Sequence, residues 1–256
     1  MLSVKAVNVQ ISGQNILQDV SVQLKAGQLT AIVGPSGSGK STLLRAISGE
    51  IPYSGEIKLN GHEVNRLNPL QLANLRAVLP QETQVAFAFT AAEVVALGAF
   101  AGPPPSARKI EELLELVGLG GKGGRLVKTL SGGERQRVHL ARILLQAGTP
   151  IGPEGPRWLF LDEPVSSLDI AHQISVMRIA RDFADRGGAV LAVMHDLNLS
   201  AMFADHIAVL ASGRIVAQGS PEAVITCDMI ANVYGCRIPI CTSPSKGPWL
   251  LVQSAH

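Results

Sequence analysis

Between a short apolar run, Leu29-Thr30-Ala31-Ile32-Val33, and an apolar segment beginning at Leu43, the chain carries Gly34-Pro35-Ser36-Gly37-Ser38-Gly39-Lys40-Ser41-Thr42. The run before the glycines is uncharged and partly β-branched, the composition of a buried parallel strand. After them, Leu43, Leu44, Ala46 and Ile47 fall on one side of a helix. The glycines therefore mark a turn from strand into helix, where consecutive main-chain N–H groups form a nest and the helix dipole adds about half a positive charge. Such a turn is built to hold phosphates. Gly34, Gly39, Lys40 and Ser41 fit the pattern G-x4-G-K-[ST], in which small residues let a polyphosphate approach, the lysine reaches its outer phosphates and the serine hydroxyl is placed for Mg²⁺. A nucleotide site formed by residues 34–42 is the expectation.

At 256 residues and 46% hydrophobic, the chain is large and apolar enough for one α/β domain with a small insertion. Its 22 basic and 20 acidic residues leave a net charge of +2 and no Lys/Arg block, so no nucleic-acid partner is implied. Cys227, Cys236 and Cys241 are odd in number and lack C-x-x-C spacing, which supports neither a disulfide framework nor a zinc site and fits a reducing cytosol. The most apolar stretch, 85–100, contains Glu93 and Gly98 and runs into Gly102-Pro103-Pro104-Pro105, short of the ~20 residues that span a bilayer. The N-terminus shows no basic segment followed by an apolar one, so no export signal is expected.

Apolar segments at 4–9 and 16–24 flank Ser12-Gly13-Gln14, the pattern of an antiparallel hairpin. A further strand is expected at 55–59, and a short helix followed by a strand between 70 and 80. From 82 to about 148 the period becomes helical, at 91–97, 110–117 and 134–145, with Gly/Pro joints at 102–105 and 118–124, which predicts an inserted helical subdomain. Residues 149–156 read as a Pro/Gly loop. Continuous apolar runs return at 157–161 and 189–194, as strands covered on both faces require, with a helix near 170–184 as the crossover.

The strand at 158–161 ends in Asp162-Glu163, carboxylates at the carboxyl edge where open α/β sheets bind ligands. Asp162 is placed to hold Mg²⁺ directly or through water, and Glu163 to polarise a water attacking the terminal phosphate. Ser131, ahead of Gly132-Gly133, fits the cap of a helix whose N–H groups point outward, a second anion site in the same chain.

With these residues in hand, residues 2–238 resemble the ATP-binding subunit of an ABC transporter, leaving 239–256 as a tail. Leu130-Ser131-Gly132-Gly133-Glu134-Arg135-Gln136 resembles the family signature, Gln81 its Q-loop, Ser166-Ser167-Leu168-Asp169 its D-loop, and His195 in Met194-His195-Asp196-Leu197-Asn198 its switch histidine. The resemblance implies an α/β P-loop NTPase (RecA-like) core with an antiparallel β subdomain and an inserted helical subdomain. It implies ATP and Mg²⁺ as cofactors, Lys40, Glu163 and His195 as catalytic residues, and Ser41, Gln81 and Asp162 around the metal. Ser131, Gly132 and Gly133 would grip the ATP held by a second copy, so that a head-to-tail homodimer encloses two nucleotides. His195 would contact the γ-phosphate, and Gln81 would sense nucleotide and couple it to a membrane partner. His62, His139, His172, His206 and His256 have no such setting and read as surface or boundary residues. The family's adenine-stacking aromatic near the end of the first strand is missing. The register puts Val9 there, which gives adenine only apolar contact.

Finer resemblance bears on cargo. Residues 195–201, 204–206 and 213–219 are similar to the ATPases of iron-chelate, haem and cobalamin importers. Residues 157–164, 168–173 and Val233-Tyr234-Gly235 look most like those of haem importers, with ferric siderophore or cobalamin as the alternatives. Family analogy adds two transmembrane permease subunits, a periplasmic haem-binding protein and a peripheral place on the cytoplasmic face of the inner membrane. The permease would dock beside Gln81, where Phe87 and Phe89 belong either to its seat or to the helical core. Related ATPases that act on DNA or ribosomes share the motifs, but usually carry two ATPase units or a long coiled insertion. This chain has one phosphate loop and no long heptad run.

Overall fold

The chain begins with β1 (Leu2–Ile11) and β2 (Gln14–Leu24), turned by Ser12 and Gly13, then passes through β3 (Leu29–Val33) and the glycine loop into α1 (Lys40–Ile47). β4 (Ser54–Leu59), β5 (His62–Glu63), α2 (Pro69–Leu75) and β6 (Arg76–Leu79) follow. Helices α3 (Ala91–Ala96), α4 (Ala107–Leu116) and α5 (Gly132–Ala147) precede a short hairpin, β7 (Ile151–Gly152) with β8 (Gly155–Pro156). Then come β9 (Trp158–Asp162), α6 (Ile170–Asp185), β10 (Ala189–Val193) and α7 (Leu197–Phe203). β11 (His206–Ala211), β12 (Arg214–Gly219), α8 (Pro221–Val224) and α9 (Cys227–Tyr234) complete the order. These elements come from a computed structural model that describes residues 1–81, 88–99 and 104–242.

Two sheets carry the fold. One is mixed, in the order β12-β11-β3-β10-β9-β6, with all neighbours parallel except the antiparallel edge pair β11–β12. The other is antiparallel, in the order β2-β1-β4-β5. β3, β9 and β10 are buried at every position, as strands covered on both faces must be. Their alternation divides the interior in two. Leu29, Ala31, Leu159, Leu161, Val190 and Ala192 face a cluster shared with α5, α6 and the helices α3 and α4. Ile32, Trp158, Phe160, Leu191 and Val193 face the opposite way, onto α1 and the antiparallel sheet. The helices of the inserted segment therefore share a core with one face of the central sheet.

Most of the expected elements form where the sequence places them. Residues 149–156 are not a plain loop, because Ile151 pairs with Pro156 and Gly152 with Gly155 as a small hairpin. β11 and β12 are additions to the sequence reading, the first a buried run and the second alternating half-buried with exposed as an edge strand does. Phe89 packs partly buried against the α3–α5 core and its carbonyl accepts from the Val127 N–H at 2.9 Å, which favours the core role; Phe87 lies outside the described residues. Among the described residues no helix is long and apolar enough to cross a membrane.

Phe160 is fully buried on the α1 side, its ring 6.1 Å from that of Trp158. Phe160→Ala should lower unfolding stability by about 3–5 kcal/mol, read from the denaturant midpoint against wild type.

Candidate active site

β3 ends at Val33, opposite Val209 of the parallel neighbour β11. A Cβ at Gly34 would stand 2.0 Å from the Leu210 carbonyl oxygen, so only glycine lets the loop leave the sheet here. Ser36 and Gly37 are exposed at the loop's tip and Pro35 is half-buried. Ser38 is buried, its carbonyl accepts from the Gly213 N–H at 3.1 Å, and its hydroxyl has no partner among the described residues. Gly39 is the N-cap of α1 in the left-handed conformation, φ 101°, and has no side-chain oxygen to offer. The first N–H groups of α1, on Lys40, Ser41 and Thr42, thus lack a side-chain cap and point at the loop, which is the arrangement that binds anions.

Lys40 is 5% exposed, and its Nζ donates to the carbonyls of Gly34 and Pro35 at 2.9 Å each. Burial lowers its pKa while the charges of Glu163 and Asp162 oppose that shift. Asp162, also 5% exposed, accepts from Ser41 Oγ at 2.9 Å. Burial pushes its carboxyl up, and the Ser41 hydrogen bond pulls it back. A hydroxyl and a carboxylate in contact form a hard oxygen set that suits Mg²⁺, which keeps much of its own water. Among the described residues no three His, Cys, Asp or Glu side chains gather to make a protein-only metal cage.

Glu163 takes φ 49°, a left-handed conformation that costs a residue with a side chain about 1–2 kcal/mol. The turn aims its carboxylate at His195, with Oε1 2.5 Å from Nε2. His195 follows β10, which pairs Val193 with Asp162, and Asp196 caps α7 by accepting from the N–H groups of Asn198 and Leu199. Gln81 leaves β6 at the same edge, since Leu79 lies opposite Leu161 of β9, and it is exposed. Parallel pairing thus delivers Gln81, Asp162, Glu163 and His195 beside the head of α1.

Ser131 caps α5 through a capping box: its Oγ accepts from the Glu134 N–H and the Glu134 carboxylate accepts from the Ser131 N–H. Lys122, and then that N–H, hold the Glu134 carboxyl down at about 2. The N–H groups of Gly132 and Gly133 find no acceptor among the described residues. A Cβ at Gly133 would come 3.0 Å from the Ser167 carbonyl oxygen, so the D-loop packs directly on this helix start.

Two of the expected placements change. Val9 is 3% exposed, sits opposite Leu17 inside the core and has no face to offer a base. The exposed apolar side chain at the end of β1 is Ile11, at 43%, on the hairpin whose Ile16 lies against Gly39. His139 is not a surface or boundary residue: it is 4% exposed within α5, and neither ring nitrogen has a partner among the described residues. Burial, with Arg142 and Arg135 adding, pushes it down to about 4. Of the others, His62 is exposed, His172 and His206 are half-buried, and His256 lies outside the described residues.

Because folded His139 binds its proton more weakly than the unfolded chain, its neutral form contributes stability that is whole above about pH 6.5 and is lost as pH falls towards 4, by about 3 kcal/mol in all. His139→Met should keep stability near wild type at pH 7 and flatten the drop between pH 6.5 and 4.5, measured by denaturant titrations across that range.

The ABC transporter family profile matches residues 17–166. The hemin import ATP-binding protein HmuV of Rhizobium etli is 48% identical over 260 residues, an alignment that covers 100% of this chain and 98% of that protein. The protein of the same name from Ruegeria sp. (strain TM1040) is 51% identical over 257 residues, covering 100% and 99%. Among solved structures, an ATP-binding cassette in a dimeric post-hydrolysis state with ADP and phosphate matches with a TM-score of 0.75 and 25% identity, over 86% of this chain and 99% of that one. A nucleotide-free cassette of an ABC transporter matches in fold with a TM-score of 0.74 and 22% identity, over 92% and 95%.

Proposed function

We propose, since this chain belongs to the ABC transporter family, that it is the ATP-hydrolysing subunit of an importer whose cargo is haem. The observation that carries this reading is identity of 48% and 51% along the whole chain to proteins named for hemin import. The site supports the chemistry. Residues 34–42 wrap the phosphates with main-chain N–H groups, and Lys40 moves its ammonium from loop carbonyls to phosphate oxygens. Ser41 and Asp162, joined at 2.9 Å, would hold Mg²⁺ with Gln81 at the same edge. When bound, the metal offsets charge on the phosphate oxygens.

Glu163 takes a proton from water as the water oxygen bonds to the γ-phosphorus and the bond to the ADP oxygen breaks. His195, donating from Nε2, holds the Glu163 carboxylate in place at 2.5 Å and faces the γ-phosphate. Ile11 gives adenine its apolar contact in place of an aromatic ring.

The second helix start, at Ser131-Gly132-Gly133, supports a head-to-tail homodimer in which each nucleotide lies between the Lys40 loop of one subunit and the Ser131 loop of the other. A similar cassette solved as a dimer with ADP and phosphate bound supports the pairing of two copies. Two permease subunits and a periplasmic haem-binding protein complete the transporter, with this subunit peripheral on the cytoplasmic side of the inner membrane. In this reading residues 2–238 form the ATP-binding domain, residues 82–148 its helical insertion and residues 239–256 a tail.

Lys40→Ala should abolish tight ATP binding, measured by calorimetry with magnesium present. Glu163→Gln should retain ATP in a closed pair while turnover falls by about 10²–10⁴-fold. Reconstituted with its permease, the chain should drive uptake of haem; uptake of a ferric siderophore or cobalamin with haem left behind would replace the cargo.

A further inference from the structure

We infer that Gln136, one turn into α5, is a positioning residue for hydrolysis that holds the Glu163 peptide in its left-handed conformation; this rests on the reading of Glu163 as the base. The β9–β10 ladder ends at Asp162 paired with Val193, and the Glu163 N–H makes the last bond to that strand, to the Val193 carbonyl at 3.1 Å. The Glu163 carbonyl, turned out of the ladder by φ 49°, must find donors elsewhere. Within its own turn it accepts from the Ser166 N–H at 3.3 Å and the Ser166 hydroxyl at 3.2 Å. Gln136 Nε2 reaches it at 2.8 Å, and is the donor that comes from a different element.

The other end of the same carboxamide is also engaged, because Gln136 Oε1 accepts from the Ser167 hydroxyl at 2.8 Å. With both ends fixed, the side chain is a strut between α5 and the turn that carries the carboxylate. Gly133, one helical turn earlier, lies against the Ser167 carbonyl and keeps the two surfaces in contact. Without the strut, the backbone at 163 is free to relax towards ordinary φ, and Oε1 swings away from His195 Nε2. With the strut in place, the helix start that would grip the partner's nucleotide and the carboxylate that would serve the chain's own nucleotide are one rigid piece.

The test uses the full chain with two variants of nearly unchanged size. Gln136→Met removes both bonds, and Gln136→Glu removes the donor while keeping an acceptor for Ser167. Each should lower kcat for ATP hydrolysis about 10- to 100-fold, while KM, ATP affinity by calorimetry and melting temperature stay near wild type. In single-turnover measurements on a Glu163→Gln background, Gln136→Met should cost less than about twofold more, because the group it positions is already gone. An unchanged kcat, a parallel loss of ATP affinity, or an undiminished loss on the Glu163→Gln background would each overturn the assignment. Full turnover by Glu163→Gln alone would remove the base reading and the strut with it. Inert Gln136 variants beside a dead Glu163→Gln would overturn the strut alone.

Discussion

The N–H groups at the head of α1 have no side-chain cap among the described residues, and the rest of the site is arranged around that unmet need. Their direction is set by apolar packing, since Leu43, Leu44, Ala46 and Ile47 are buried against the antiparallel sheet and one face of the central sheet. Gly34 enters the loop against the Leu210 carbonyl, and Gly39 hands the chain to the helix with no side chain to satisfy it. A helix anchored so firmly holds these donors in one place, where an anion of the right shape can satisfy several of them at once. Lys40 and Ser41, the first residues of that helix, inherit their positions from the same packing.

Charge in this corner works against stability and in favour of chemistry. Burial lowers the pKa of Lys40 and raises that of Asp162, so each group is disfavoured in its charged form by its surroundings and favoured by the other. Glu163 adds left-handed strain beside them. Buried opposite charges and a strained peptide at one sheet edge are what a fold tolerates where it must meet a charged, reacting ligand. The edge itself follows from topology, because parallel strands joined by helical crossovers all present their carboxyl ends on one side.

Much of this was legible in the sequence because local chemistry and buried strands leave strong marks. The runs at β3, β9 and β10 are apolar at nearly every position, and the glycine loop and Asp162-Glu163 adjoin two of them. Val9 misled because the family's register, carried onto this strand, meets shifts between Val4 and Val7, Val7 and Val9, and Val9 and Gln10, which leave Val9 in the core and Ile11 exposed. His139 misled because α5 is buried through 137–141, pressed between the central sheet and the helices α3 and α4, and a helix covered nearly all round loses the polar stripe that marks an outer face. Gln136 left no mark of its own. Its importance depends on a carbonyl turned out of line at Glu163, which composition and spacing do not reveal.

The two helix starts read as anion sites belong to different layers. α1 is anchored in the cluster that includes Ile32, Phe160 and Val193, whereas the apolar face of α5 is anchored in the one that includes Leu161, Ala192 and Val209. Adjacent residues of a strand point to opposite faces, so these clusters lie on either side of the central sheet. The Gly132 and Gly133 N–H groups meet no acceptor among the described residues, which supports the reading that they serve a nucleotide held by a second subunit. What links the layers inside one chain is polar and short: Gln136 reaches from α5 to the end of β9, where Asp162 meets Ser41 of α1. The apolar cores set the two grips apart, and this hydrogen-bonded path through the carboxyl end of β9 is where they touch.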